Sequence, residues 1–426
     1  MRFSCNAVAL VALVCASLAR SAEPSLLRDL ISSALANNPE VQAAQKRYEA
    51  ARQRPSQQRS LPDPMLSVGY SSNGTPLPGG QLGSNPTSNI GFMVSQEIPY
   101  PGKRKLRGDI AAKDADAEFQ QYQATALNVR SRVIQAFHRL HHTYAALAIL
   151  ARGKELLTQT IRVSEARYSA GKTTQPEIFK AQVQLSMLEA RIIRMRQDQQ
   201  TAEAELNSLL ALQPGSPVGE PVDEEPAMLS VPLEELLAKS ADATPQLIRD
   251  RKLIERSELS VNLARKEFHA DYTVSAGYFN QGSMSPMFQV KVDIPIRLHA
   301  EQRQRPALNE QVDRLAEARR NFEAGGQNLQ FRVREAYASA ETAWRLRELY
   351  SDTILPQSQL TVDSSLTAYQ TGAGDLIAVL NNLSTKIDVE EQLHEQNLNY
   401  ALALARLEEL TGIALTGTEL TKGGSK

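Results

Sequence analysis

Ser95-Gln-Glu-Ile-Pro-Tyr-Pro-Gly-Lys-Arg-Lys-Leu-Arg107 decides how the rest of the chain reads. On its left, Ile90 to Ile98 alternates apolar and polar residues, the signature of a strand. On its right lies a very long helical pattern. Pro99 and Pro101 stop the strand, Gly102 turns the chain, and basic residues open the helix. A second such junction, with Pro295 in place of Pro99, stands at Val290-Lys-Val-Asp-Ile-Pro-Ile-Arg297.

Composition fits two long-helix passages better than a stack of globular domains. Aromatics make up only 5% of 426 residues, and Ala, Gln, Arg, Glu and Leu dominate. A net charge of -1 gives no reason to expect nucleic acid. Arg2 followed by the apolar run Ala7 to Ala19 reads as a signal peptide over residues 1–22. Both cysteines, Cys5 and Cys15, fall inside it, and Ala-Leu-Val before Cys15 is a poor lipidation signal. The processed chain is therefore expected to hold no disulfide. No later window reaches the ~18 apolar residues of a spanning helix. A closed β-barrel is the one membrane-spanning form left to it.

Leu26, Leu27, Leu30, Ile31, Ala34 and Leu35 recur at helical spacing, and Asn37-Asn38-Pro39 interrupts them. Strands are expected at about 64–72 and 90–98, separated by a Gly-, Pro- and Asn-rich loop. A helix then runs from about Lys103 to Ala170. Val129, Val133, Phe137, Leu140, Tyr144 and Leu147 form its seam, with Gly153 a plausible weak point. Some 65 helical residues reach roughly 100 Å, beyond any ordinary globular helix. Gly171 caps it, and a further helix continues to Leu212.

After a linker at 213–230 the pattern starts again. Pro245 answers Pro39, Ser275-Ala-Gly-Tyr278 answers Ser67-Val-Gly-Tyr70, and Ile294-Pro295 answers Ile98-Pro99. Tyr369-Gln-Thr-Gly372 answers Tyr168-Ser-Ala-Gly171. The chain is thus a duplication, at 23–212 and 231–416, of helix, strand, strand, long helix, helix, with a disordered tail expected at 417–426. The second strand pair is expected at about 271–280 and 286–297. One face carries Tyr272, Val274, Ala276, Tyr278, Phe288, Val290, Val292 and Ile294; the other carries Gln289, Lys291 and Asp293. Such alternation marks a barrel strand around a wet lumen. Four strands cannot close a barrel, so several copies must contribute.

In these landmarks, and in their order from residue 26 to about 415, the chain resembles the TolC-type outer membrane efflux family. Ala34-Leu-Ala-Asn-Asn-Pro39, the two Ile-Pro exits, the Arg167-to-Gly171 and Tyr369-to-Gly372 turns and Ile354-Leu-Pro-Gln-Ser358 carry the likeness. The resemblance implies a mainly α fold with a small β part, assembled as a trimer. Its twelve-stranded barrel would sit in the outer membrane, contacting lipid, and its α-helical tunnel would cross the periplasm. It implies a passive duct that docks to a periplasmic adaptor and an inner-membrane pump. Pro99-Tyr-Pro-Gly-Lys-Arg104 looks most like the branch serving heavy-metal cation pumps. Drug or organic solute efflux and type I secretion are the alternatives within the family; a periplasmic coiled-coil scaffold is the alternative outside it.

By the repeat, Arg167, Tyr168, Gly171, Tyr369, Gly372 and Asp375 lie at the periplasmic tip, where gating and adaptor docking are implied. Gated members of the family carry an arginine and two aspartates that here are Gly374, Ala378 and Asn381. Asp375, Asp363 and Asp388 are candidate replacements, each also readable as part of a solvated helix face. Pro99, Pro101, Gly102 and Pro295 mark the membrane exits. Lys103, Arg104, Lys105 and Arg107 are expected near headgroups or neighbouring subunits. No metal site and no cofactor is expected. His138, His141 and His142 share one side of a helix and read as structural, with a transient cation contact at His138 and His142 as the alternative. No nucleophile–base set or paired-carboxylate pocket suggests an enzyme.

Overall fold

The computed structural model describes residues 26–72, 76–222 and 226–415. The signal segment with Cys5 and Cys15, and the tail at 417–426, lie outside the described residues. The order is α1 (Leu27–Asn37), α2 (Pro39–Arg59), β1 (Met65–Ser71), β2 (Asn89–Ile98), α3 (Lys103–Ser169) and α4 (Gln175–Leu209). It repeats as α5 (Leu233–Ala243), α6 (Pro245–Lys266), β3 (Tyr272–Asn280), β4 (Met287–Asp293), α7 (Ala300–Leu349), α8 (Leu355–Thr371) and α9 (Leu376–Thr411). A π-helical turn, Tyr350–Ile354, joins α7 to α8. It falls just before Pro356, whose missing N–H interrupts the regular ladder.

The chain divides into two compact units. One comprises the residues up to Ala43, Ala124–Thr244 and those from Asn328; the other comprises Ala44–Gln123 and Pro245–Gln327.

The second unit holds the sheet, antiparallel throughout in the order β1-β2-β3-β4. Its register puts Val68 opposite Phe92, Phe92 opposite Tyr278, and Tyr278 opposite Phe288. The ring centroids of Tyr278 stand 6.1 Å from Phe92 and 5.3 Å from Phe288. One face is thus apolar across all four strands. On the other, Ser275 donates a hydrogen bond to Ser95 Oγ at 3.0 Å. β4 ends at Asp293, four residues short of the expected 297. Pro295 has no N–H to continue a ladder.

The first unit is built on the seams of α3, α4, α8 and α9. Val129, Val133, Phe137 and Leu140 are buried as the sequence spacing predicts. Beyond them the buried face of α3 turns to Ala146, Ile149, Leu150, Leu157 and Ile161, leaving Tyr144 and Leu147 half-buried. A straight helix drifts away from a seven-residue repeat in this way. The later set packs with Leu188 of α4, Tyr369 of α8, and Leu380, Leu383 and Ile387 of α9. Gly153 is not a weak point. It lies inside α3, and a Cβ there would stand 2.5 Å from Ile387 Cδ1, so its bareness allows close helix contact.

The two repeats use one device at their proline breaks. Asn38 Nδ2 donates to the Leu209 carbonyl at 2.9 Å, and Thr244 Oγ1 donates to the Leu410 carbonyl at 2.8 Å. Each side chain ties the break between a short helix and its successor to the last turn of the repeat. Asn38→Ala and Thr244→Ala should each destabilise the first unit by ~1–2 kcal/mol, since each leaves a buried carbonyl short of a donor. Equilibrium denaturation of the two variants should give similar losses.

Candidate functional site

The first site is the junction where strand becomes helix. At Gly102 φ is +91°, and a Cβ would stand 2.9 Å from Lys266 Nζ. Lys266 Nζ donates to the Pro101 carbonyl at 3.1 Å and sits 5.6 Å over the Tyr100 ring. Tyr100 in turn stacks on His269, with centroids 4.3 Å apart. The tight turn set by Pro99, Pro101 and Gly102 is therefore clasped to the end of α6.

Lys103 is the centre of this clasp, and its side chain has no exposure at all. Its ammonium donates to Glu267 Oε2 at 2.8 Å, to the His269 carbonyl at 2.9 Å and to Asp271 Oδ2 at 3.1 Å. The Tyr100 N–H donates to the other Asp271 oxygen at 2.6 Å. Burial alone would raise the Asp271 pKa. The Tyr100 N–H, then the hydrogen bond and charge of Lys103, then Arg107, outweigh it and hold the carboxyl below its ordinary value. Arg297, just past Pro295 in the second exit, donates to the same His269 carbonyl at 3.1 Å. One backbone oxygen thereby serves both exits.

For Lys103 this corrects the expectation of a basic residue near headgroups or neighbouring subunits. Lys103 is spent inside the fold. Arg104 donates twice to the Arg59 carbonyl at the end of α2, and Arg107 pairs with Glu267 at 3.4 Å. Lys105 is exposed. At the second exit Pro295 is exposed, and Ile294, Ile296 and Leu298 are each more than 60% exposed.

The second site is the pair of helical turns in the first unit. Gly171 at φ +70° and Gly372 at φ +85° close α3 and α8 with the left-handed cap their sequences predict. Lys172 N–H returns to the Arg167 carbonyl at 2.9 Å, and Ala373 N–H to the Ala368 carbonyl at 2.9 Å. Arg167 joins the turns. It donates to the carbonyls of Tyr369 and Gln370, and its guanidinium lies 4.6 Å over the Tyr369 ring. Tyr369 is buried and donates its hydroxyl to Ser164 Oγ at 3.0 Å. Tyr168 remains 45% exposed.

The structure explains why the usual arginine position is empty. A Cβ on Gly374 would stand 2.9 Å from Tyr369 N and 3.0 Å from Ala368 C, so this backbone admits no side chain there. Asp375 caps α9, accepting from Ile377 N–H at 3.2 Å. Asp388 pairs with Arg191 at 2.9 Å, and Asp363 accepts from Gln359 at 2.8 Å. Ala378 and Asn381 are exposed on α9. What sequence reasoning missed is the role of Arg167 as the joint between the turns. Its partners lie 202 and 203 residues away, so local spacing carries no signal of the contact.

His138, His141 and His142 line one small cavity with His394. Among the described residues, no group of three or more His, Cys, Asp or Glu is arranged to hold a metal ion.

Lys103→Met should cost ~1–3 kcal/mol, because it strands two carboxylates that are only partly hydrated. The Asp271 contribution should be complete above its unfolded pKa of ~3.9 and fade as pH falls below it, since its folded value is the lower one. Denaturation of wild type and Asp271→Asn between pH 6 and 3 should converge at the acid end. In the paired turns, Arg167→Ala should speed amide exchange over residues 367–374 about tenfold, a local loss of ~1.4 kcal/mol.

The sequence profile of the family described as Outer membrane efflux protein matches residues 30–212. The chain is 20% identical over 381 residues to the cobalt-zinc-cadmium resistance protein CzcC of Cupriavidus metallidurans, covering 89% of this chain and 86% of that one. The fold is shared with the outer membrane protein VceC of Vibrio cholerae, at a TM-score of 0.75 and 18% identity over 92% of this chain and 97% of that one. It is shared also with the CmeC outer membrane channel of Campylobacter jejuni, at a TM-score of 0.75 and 16% identity over 93% and 87%. With the profile on its first repeat and these relatives aligned along nearly all its length, the chain is similar to outer membrane efflux proteins and shares the fold of outer membrane channels.

Proposed function

We propose that this chain is one subunit of a passive export duct, and that three copies complete it. The observation that carries the reading is the sheet. It has four strands, two unpaired edges at β1 and β4, and an apolar face open along its whole width. Val68 is 76% exposed, Phe288 76% and Val290 78%. Such a face and such edges aggregate in water and need another environment. Lipid satisfies the face, and pairing β1 with β4 of the next copy satisfies the edges. Three copies bring twelve strands, within the range of outer-membrane barrels. No helix among the described residues is long and apolar enough to cross a membrane, so the sheet carries the insertion.

The helical seams then form the periplasmic tunnel. The turns at Gly171 and Gly372 are the end that meets a periplasmic adaptor, with an inner-membrane pump behind it. Arg167 holds those turns together and is the residue on which opening depends. The cargo is heavy-metal cations. This rests on the CzcC relative, whose name states cobalt, zinc and cadmium resistance and which aligns with 89% of the chain. A coiled-coil scaffold would have no use for an exposed apolar sheet.

Deletion of the gene should lower tolerance to cobalt, zinc and cadmium, with recovery on complementation. Lost tolerance to organic toxins alone would redirect the cargo to drug efflux. Recovery of the protein in the soluble periplasmic fraction would sink the duct itself. Val68→Arg and Val292→Arg should each weaken the barrel by ~2–4 kcal/mol if placed at mid-membrane. Trimer yield in mild detergent is the check, and it should fall in both.

A further inference from the structure

A cavity of about 470 Å³ lies within the second unit, walled by the start of α3, the end of α6 and the start of α7. Pockets that hold a small ligand run from ~300 to 1,000 Å³. Three side chains with N–H donors line it: Arg297, Arg303 and Gln304. The fold does not use them up. Gln304 is only 8% exposed, and among the described residues its amide has no hydrogen-bond partner. Arg297 gives Nη2 to the His269 carbonyl at 3.1 Å, while its Nε is buried without an acceptor. Arg303 is exposed and, among the described residues, its guanidinium forms no ion pair. A buried donor left unmatched is costly, and two such side chains line this one cavity.

The cavity's charge is positive. Its one lining acid, Glu267, is already held by Lys103 at 2.8 Å and Arg107 at 3.4 Å. Glu301, in the first turn of α7, pairs with Arg305 at 2.6 Å. Neither acid neutralises Arg297 or Arg303. Ile110, Leu263 and Ala307 supply apolar wall, which strengthens any charge-assisted hydrogen bond made inside. On either side of Arg297, Ile296 and Leu298 are more than 80% exposed.

We propose that this cavity is a binding site for a phosphate group: the guanidiniums of Arg297 and Arg303 grip its oxygens and the Gln304 amide donates to a further one. Guanidinium forks match phosphate geometry, and three donor-bearing side chains exceed what the two oxygens of a carboxylate call for. The phosphate is carried by a lipid headgroup or is the free ion. A lipid would lay its tails on Ile296 and Leu298, as basic pockets beside apolar surface do with anionic headgroups. That source rests on the reading of the chain as an outer-membrane duct; the phosphate chemistry does not.

Calorimetric titration of the delipidated full-length protein in detergent tests this with four probes: phosphatidylglycerol, dioleoylglycerol, oleate and inorganic phosphate. Phosphatidylglycerol should bind, and dioleoylglycerol, with the same kind of tails and no phosphate, should not. Arg303→Gln and Gln304→Leu should each weaken that binding about tenfold. Arg305→Gln removes an equal charge outside the cavity and should leave it unchanged. Phosphatidylglycerol bound without inorganic phosphate supports the site with lipid as its source; inorganic phosphate bound with the same loss in Arg303→Gln supports it with the free ion. If Gln304→Leu does not fold, Arg303→Gln, at an exposed position, carries the test. Binding of neither phosphate probe would overturn the site. So would dioleoylglycerol or oleate bound as tightly as phosphatidylglycerol, or an equal loss in Arg303→Gln and Arg305→Gln. These titrations are read without reference to metal tolerance, so failure of the site and failure of the duct are separate results.

Discussion

A fully buried ammonium holds the strand-to-helix junction. Lys103 lies where strand turns into helix, and a single four-stranded sheet has no second layer to anchor that turn. Ionic geometry supplies the anchor. Two carboxylates and a carbonyl surround Lys103 Nζ within 3.1 Å, which is what a buried charge requires. The Tyr100–His269 stack and the Lys266 bond to the Pro101 carbonyl brace the same turn from its other side. Arg297 on the shared His269 carbonyl extends the node to β4. This one cluster links the exits of both hairpins.

Duplication accounts for the rest of the architecture, and the repeats keep the device while changing the chemistry. Asn38 and Thr244 perform one task with an amide and a hydroxyl. Gly171 and Gly372 perform one task with the same residue, because only the left-handed conformation serves there. At the exits the copies part. The first has two prolines, a glycine and a buried lysine; the second has one proline, a surface of exposed isoleucine and leucine, and an arginine that leans on the first copy's clasp.

Period and punctuation made most of the fold legible in the sequence. Alternation located all four strands, and proline and glycine located the breaks and turns, because these signals are local to the chain. The errors share one physical origin. Lys103 to Arg107 read as a surface patch because its partners, Glu267 and Asp271, lie some 160 residues away. Gly153 read as a weak point because the Ile387 side chain it admits sits on another helix. The buried face of α3 beyond Leu140 was misjudged because the drift of a straight helix against its neighbours is a tertiary property. The two glycine turns were legible in the sequence, but the joint between them depends on Arg167 reaching across to Tyr369, and spacing along one helix cannot express that.

The tip also shows how a backbone choice can relocate a side-chain function. Once α8 ends in a left-handed Gly372 and the chain folds back to return the N–H groups of Ala373 and Gly374 to the Ala368 carbonyl, position 374 is pressed against Tyr369. No arginine can occupy it. At the end of α8 the Tyr369 carbonyl accepts from Gly372 N–H and has room for a second donor, as does the Gln370 carbonyl, and the last turn of α3 supplies a guanidinium to both. Arg167 covers the Tyr369 ring in the same contact. The link between the two turns thus comes from the first repeat, within a single subunit. Its strength depends on neutral carbonyls and a ring rather than on carboxylates, so acid that would discharge an aspartate latch leaves this one intact.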